Sequence, residues 1–403
     1  MMSEYDVDVV VVGAGPGGSR AASELARKGL KVLVLEKRQE IGAPKRCAEG
    51  LNFAAVAALP FEIDGRWATQ AIKSCRLFSP AGKEVMIKHP TYGGYVIERK
   101  VFEKFLAEDA IKAGAKYMVK TNVFEVLKDG EGRVVGVKAD HMGEDITARS
   151  KLVLAADGVD SLTAKRAGIN TANKISDYHS GFQYEMAGLK NVDPECLYVF
   201  FGEEVAPKGY LWIFPKGHSF ANVGIGITSA NSESGGEPRK YLDRFIADNP
   251  KYFEGASPVE VNGGGIPLSA SAPTFVGDGI MLVGDAAQQV NPIHGGGIAL
   301  AMRSAILASE VAAAAISEGD LSRERLMEYE RRWFEGGDGA KLKRLYKLRM
   351  FMEKLEDKDF ETLAEVMGSE DLLKLLGGDN KYILKLLLTK APKLIPLAKK
   401  FLV

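Results

Sequence analysis

The chain has 403 residues, 46% hydrophobic and 26% charged, enough for about two or three domains around a sizeable core. Lys plus Arg and Asp plus Glu balance at 53 each, so the charge total gives no reason to expect a nucleic-acid partner. Cys47, Cys75 and Cys196 are few, odd in number and far apart; this excludes a disulfide framework and an iron–sulfur cluster and suits a reducing compartment. Met1 to Asp8 is acidic and polar and leads straight into the first strand, so no secretory signal is expected.

Val9-Val10-Val11-Val12 is a β-branched run that predicts a buried parallel strand. Gly13-Ala14-Gly15-Pro16-Gly17-Gly18 follows, with glycines at the first, third and sixth places of a G-x-G-x-x-G turn. Residues 19–29 carry a helical pattern ending at Gly29, and a second strand, Lys31 to Leu35, ends on Glu36. Each part has a physical task. Gly13 permits the tight turn, Gly15 lets backbone approach a pyrophosphate at the helix N-terminus, and Gly18 lets the helix pack close to the sheet. Glu36, 18 residues past Gly18, can accept hydrogen bonds from ribose hydroxyls. Strand, turn, helix and acid together predict a dinucleotide site.

Lys37 to Leu51 has two glycines, a proline and little periodicity, and is expected as a loop. Short strands are predicted at Ser74 to Phe78, Glu84 to Lys88 and Gly94 to Ile97, and a helix over Glu98 to Ala113. Lys116 to Leu127 and Arg133 to Ala139 read as paired strands around Asp129-Gly130-Glu131-Gly132. Lys151 to Ala155 is a further buried strand, followed by Ala156-Asp157-Gly158; Tyr178 to Ile227 is strand-rich; and residues 237–254 are helical. Gly279 to Val283 then feeds Gly284-Asp285, and Pro292-Ile293-His294-Gly295-Gly296-Gly297-Ile298 opens an alanine-rich helix to about residue 316. That apolar run contains Arg303 and Glu310, so no simple membrane-spanning helix is expected. Beyond it the chain is helical and charged.

The late Gly284-Asp285 and the glycine-rich helix start add a second half to the cofactor site. Asp285 can accept hydrogen bonds from a ribityl chain, Gly295 to Gly297 allow backbone to pass close to a flat ring, and the following helix aims its positive end at that ring. A nicotinamide enzyme needs none of this; a flavin enzyme does. A glycine-rich turn that merely begins a core helix is the alternative.

Gly13 to Gly18, Glu36, Ala156-Asp157-Gly158 and Gly284-Asp285 together resemble the p-hydroxybenzoate-hydroxylase-type flavoproteins. Arg46-Cys47-Ala48-Glu49-Gly50-Leu51 and Tyr210-Leu211-Trp212-Ile213-Phe214-Pro215, with Val223-Gly224-Ile225-Gly226 behind, are more specific. They are similar to the geranylgeranyl reductase family, nearest its archaeal branch acting on digeranylgeranylglycerophospholipids. The resemblance implies an α/β fold with a Rossmann-type FAD-binding domain, a β-sheet-rich substrate domain and a helical C-terminal region. The expected division is FAD-binding at 1–72, 99–176 and 266–330, substrate strands at 73–98, a prenyl-binding domain at 177–265, and helices at 331–403. It also implies FAD contacts at Gly17, Glu36, Cys47, Ala48, Gly50, Arg99, Val123, Asp285, Gly297 and Ile298, beside the turn residues Gly13, Gly15 and Gly18. Arg99 is equally a solvated charge at a helix start, and the role of His294 stays open.

Tyr210, Trp212 and Phe214 alternate along a strand, so they share a face that could wall a channel for a prenyl chain; an ordinary sheet core is the alternative. Cys47 is a candidate proton donor or a thiol lying on the flavin, or simply a small buried residue, and no catalytic acid is named. No metal is expected. Residues 381–403 hold six lysines and no acid among many leucines, with Pro392 and Pro396 breaking the run. This tail either rests on an anionic bilayer or packs on the body with its lysines outward. The expected activity is FAD-dependent reduction of C=C bonds in geranylgeranyl chains of archaeal-type glycerophospholipids. Electrons would come from NAD(P)H or a ferredoxin, at the inner face of the cell membrane. An aromatic monooxygenase on the same fold is the alternative enzyme, a flavin-dependent halogenase a weaker one, and a flavin-loaded lipid carrier the non-enzymatic reading.

Overall fold

A computed structural model describes residues 3–88, 93–229 and 237–402. The valine run lies at the centre of the first sheet. Ser3–Val12 pairs in parallel with Glu144–Ala155 on one side and Val32–Leu35 on the other. The sheet continues to Ile280–Leu282 and Val276–Gly277 at one edge and to Lys116–Met118 at the other. Val9, Val10 and Val11 are wholly buried, as befits a parallel strand covered on both faces. The strands preceding the glycine turn and Gly284 are therefore in one sheet despite their separation in the chain. Helix Pro16–Arg27 packs between Arg99–Lys112 and Ile298–Glu318.

The stretch expected as one strand from Lys116 to Leu127 is two. Lys120, at φ +49°, ends the parallel edge strand, and Thr121–Lys128 turns away to join Val134–His141 and the first half of Glu144–Ala155 in an antiparallel meander.

The second sheet has seven strands in the order Ser257–Pro267, Tyr178–Ala187, Phe220–Thr228, Tyr210–Pro215, Cys196–Phe200, Ser74–Phe78, Glu84–Lys88. One face buries Tyr198, Leu211, Ile213, Val223 and Ile225 against Leu242 and Phe245 of helix Pro238–Asp248. The helical segment expected over 237–254 breaks at Pro250, whose missing N–H starts a separate turn, Pro250–Phe253. Gly94–Val96 does not join Ser74–Phe78 and Glu84–Lys88. It pairs with Gly50–Asn52 and Gln70–Ile72 in a three-stranded sheet, so the loop after Glu36 ends in a short strand.

Sequence patterns do not show Ser257–Pro267, because Gly263-Gly264-Gly265 reads as a breaker. The strand needs those glycines: a Cβ at Gly265 would fall 1.5 Å from the Tyr178 hydroxyl oxygen, and one at Gly263 would fall 2.9 Å from the Gly181 carbonyl oxygen.

Ile298–Glu318 is long and apolar enough to cross a membrane by length and composition. Here Ala305, Ala308, Val311, Ala312 and Ala315 are buried in the main core. After it come helices Arg323–Glu335, Asp338–Met352, Asp357–Val366, Ser369–Leu376, Asn380–Lys390 and Ile395–Leu402. Leu345, Leu348, Phe351, Ile383, Leu387 and Leu394 form a core of their own among them.

Candidate active site

A cavity of about 860 Å³ runs between the glycine turn, the free face of the seven-stranded sheet and the C-terminal helices. Its two ends differ chemically. At one end lie Gly15, Gly17, Cys47, Ala48, Glu49, Gly50, Arg99, Asp285, Gly297 and Ile298. At the other the walls are apolar. Cys75 and Leu77, Val85 and Ile87, Leu197 and Val199, and Tyr210, Trp212 and Phe214 face inward at every second position. The facing wall comes from the C-terminal helices, through Leu345, Leu363, Met367, Leu375, Ile383 and Leu387.

The turn end is built for close backbone approach. Gly13, at φ +101°, lies so near Ala156 that a Cβ would meet its carbonyl oxygen at 2.4 Å; one at Gly18 would fall 1.9 Å from the Gly13 oxygen. At Gly15 a Cβ would meet no protein atom within 4 Å, leaving that side of the turn open to a ligand. Glu36 accepts from the N–H groups of Ala14 (2.8 Å) and Arg38 (2.9 Å), which fixes its carboxylate at the turn with further lone pairs to offer. Asp157, by contrast, is committed to capping helix Leu162–Ala167, accepting from Ser161 Oγ at 2.8 Å and the Thr163 N–H at 3.0 Å. Val123 is buried in the meander strand, outside the cavity, and its carbonyl accepts from Arg166 at 3.1 Å. Gly13, Gly18, Glu36 and Val123 thus lie outside the cavity, and the remaining expected positions line it.

Burial alone would lower the Arg99 guanidinium, but Glu103, whose Oε1 accepts from Nε at 2.5 Å, and the Cys47 side chain hold it well above the usual range. Burial raises the Asp285 carboxyl, against the pull of Arg99. A Cβ at Gly297 would come 3.1 Å from Asp285 Oδ1. Desolvation by the cavity walls holds the His294 imidazole low, at about 4, so the ring is neutral at neutral pH and its Nδ1 accepts from the Gly296 N–H at 3.1 Å. The His294 carbonyl accepts from the Tyr210 hydroxyl at 2.7 Å, tying the glycine-rich turn to the aromatic strand.

The pattern for the geranylgeranyl reductase catalytic domain matches residues 177–266, and that for FAD dependent oxidoreductases matches residues 8–193. A digeranylgeranylglycerophospholipid reductase of Methanothrix thermoacetophila is 43% identical over 96% of this chain and 97% of its own. The chain belongs to the digeranylgeranylglycerophospholipid reductase family. Another member, from Methanocaldococcus jannaschii, is 41% identical over 98% of both chains. The crystal structure of a geranylgeranyl bacteriochlorophyll reductase-like protein from Thermoplasma acidophilum superposes with a TM-score of 0.91 at 34% identity, covering 99% of this chain and 100% of that one. The cofactor of this reductase is FAD.

The residues fit it. The open side of Gly15 at the start of helix Pro16–Arg27 suits the pyrophosphate, and Glu36 suits the adenosine ribose. Asp285 suits the ribityl chain, and the backbone of Gly295 to Gly297 suits the ring.

Sequence reasoning missed a buried ion cluster beneath this end. The Glu49 carboxylate accepts from Lys216 at 3.0 Å, Lys45 at 3.2 Å and Asn222 at 2.7 Å through Oε2, and from the Arg99 N–H at 2.7 Å through Oε1. Lys216 also reaches Glu98 at 2.7 Å and Glu185 at 3.2 Å, and Lys45 is hydrogen-bonded to Glu185. Burial would lower Lys216, but Glu49 and Glu98 raise it instead. The cluster bolts the loop Lys45 to Gly50 to the substrate sheet. Nothing in the sequence signals it, since isolated lysines and glutamates are usually solvated.

Proposed function

We propose that this protein saturates isolated C=C bonds in the geranylgeranyl chains of an archaeal-type glycerophospholipid. One observation carries the reading: the FAD end opens directly into an apolar slot walled on one side by a sheet face and on the other by a set of helices. A trisubstituted alkene offers no polar handle, so it must be held by shape and kept from water. When bound and reduced, FAD would supply hydride from N5 to one alkene carbon, and the other carbon would take a proton. Tyr210, Trp212 and Phe214 hold the alkene at the junction of the two ends, with ring centroids 5.7 and 6.2 Å apart along the row. The leucines of the C-terminal helices close the slot. The reductant is NAD(P)H or a ferredoxin, and the one that reduces the bound flavin in an anaerobic mixture is the donor.

The decisive test is to reduce the flavoprotein without oxygen and add a geranylgeranylated phospholipid. Reoxidation of the flavin with a gain of one H2 per double bond supports the reading. A flavin that stays reduced with lipid but reoxidises with oxygen and an aromatic acid, yielding hydroxylated product, overturns it.

We also place the protein at the inner face of the membrane. Lys381, Lys385, Lys390, Lys393, Lys399 and Lys400 are on the exposed side of the tail, while Ile383, Leu386, Leu387 and Leu394 point inward. That arrangement favours electrostatic contact over insertion, at about 1 kcal/mol per lysine near an anionic surface.

A further inference from the structure

The slot wall at Trp212 is connected to the FAD-side loop by a short hydrogen-bonded path. Trp212 Nε1–H donates to Gln183 Oε1 at 2.9 Å, and Gln183 Nε2 donates to the Cys47 carbonyl at 3.1 Å. An indole N–H can only donate, so the carboxamide has a single orientation, oxygen toward Trp212 and nitrogen toward Cys47. Gln183 is 2% exposed, on strand Tyr178–Ala187, and pairs across the sheet with Gly224. A Cβ at Gly224 would fall 2.4 Å from the Trp212 ring, so the indole lies flat on that glycine and directs its N–H at the amide. On the neighbouring strand Asn222 Nδ2 donates to the Ala48 carbonyl at 3.1 Å. Two amides from adjacent substrate-sheet strands therefore suspend the Cys47-Ala48 backbone: Gln183, which lines the cavity and bonds the Trp212 indole, and Asn222, which pairs across the sheet with Phe214.

We propose that Gln183 is a positioning residue that couples occupancy of the slot at Trp212 to the Cys47-Ala48 backbone at the FAD end. This rests on the reductase reading above. The amide is buried, so separating it from either partner leaves a polar group unpaired, and a shift of the indole is passed to the Cys47 carbonyl. The coupling is reciprocal: FAD binding raises affinity for a prenyl chain by the factor with which the chain raises affinity for FAD.

The test uses the full-length FAD-bound protein, with digeranylgeranylglyceryl phosphate in detergent micelles as probe. Probe binding is followed by tryptophan fluorescence, and the response of the oxidised flavin by its absorbance. In Gln183→Leu, FAD and probe are expected to bind while the factor by which the probe tightens FAD, taken from flavin absorbance titrations as the response, falls about tenfold, as for loss of one buried hydrogen bond. Gln183→Glu is expected to restore the response at acidic pH, where the protonated carboxyl can donate to Cys47, and to lose it once ionised. The wild type, with the same Lys45, Glu49 and Glu185 nearby, is the control over that pH range. A wild-type-sized response in Gln183→Leu, or a Gln183→Glu response without pH dependence, overturns the proposal. Failure of the wild type to bind the probe overturns the reductase reading instead. Gln183 is then judged without lipid. Displacement of the flavin midpoint potential in the same direction in both Gln183→Leu and Trp212→Phe upholds the path, and any other result refutes it.

Discussion

A single methyl group at Gly18 would lie 1.9 Å from the Gly13 oxygen and 3.2 Å from the Ala156 Cβ. Neither neighbour can retreat, since both belong to the turn and to the sheet beneath it. Gly18→Ala is therefore expected to cost roughly 1–3 kcal/mol of stability and most of the bound FAD; the FAD-to-protein ratio and the melting temperature check both. Gly18 was legible because glycine spacing records a backbone requirement in the residue itself. Glu49 and Lys216 were not, because their partners come from four separate stretches and any one of them alone resembles a surface charge. The cluster has a consequence in acid. Burial would raise the Glu185 carboxyl, but its bonds to Lys45 and Lys216 outweigh that and hold it below the ordinary value of 4.5. The unfolded chain then takes up this proton first as pH falls. The stabilisation is complete above 4.5 and is lost as pH drops through the lowered folded value. Glu185→Gln should flatten the acid limb of a melting-temperature-against-pH curve; an unchanged limb would assign acid lability elsewhere.

At the scale of elements, the row Tyr210, Trp212 and Phe214 lines the slot as its alternation implied, because a strand has only two faces and the opposite one is filled by Leu211 and Ile213. Cys196–Phe200, which runs beside it, offers Leu197 and Val199 to the same slot. Val199→Trp should plug the slot while leaving the turn end intact. FAD content should stay at the wild-type level, while fully saturated lipid falls about tenfold or more relative to partly reduced product. Lipid mass spectra of the product mixture decide. The tail helices illustrate a limit of periodicity. Their leucines mark them as helical and amphipathic, but not whether the apolar side meets a membrane or the protein's own cavity. Ile383 and Leu387 are buried and line the slot, whereas Leu388 is 59% exposed.

For the molecule as a whole, the outward lysines set an expectation for vesicles. Binding to vesicles rich in anionic lipid should exceed binding to neutral ones and weaken as salt shortens the screening length. Replacing Lys381, Lys385 and Lys393 together with Gln should weaken it by roughly 3 kcal/mol. Equal sedimentation with neutral and anionic vesicles would remove the electrostatic contact.

The amino-acid order alone determined the cofactor end. A glycine turn, an acid at set distance and a second glycine-rich helix start act through backbone shape and local charge, which short stretches of sequence encode. It also determined the two-faced aromatic strand, through the period of two. Only the tertiary structure decided which distant segments meet. The triple-glycine strand Ser257–Pro267 exists because Tyr178 and Gly181 occupy the space side chains would need. The ion cluster and the Trp212–Gln183–Cys47 path likewise depend on a loop, a helix start and three strands converging. The C-terminal helices form the second wall of the slot because their apolar residues face the open side of the substrate sheet. Contacts of that kind depend on three-dimensional packing, to which no local pattern in the chain gives access.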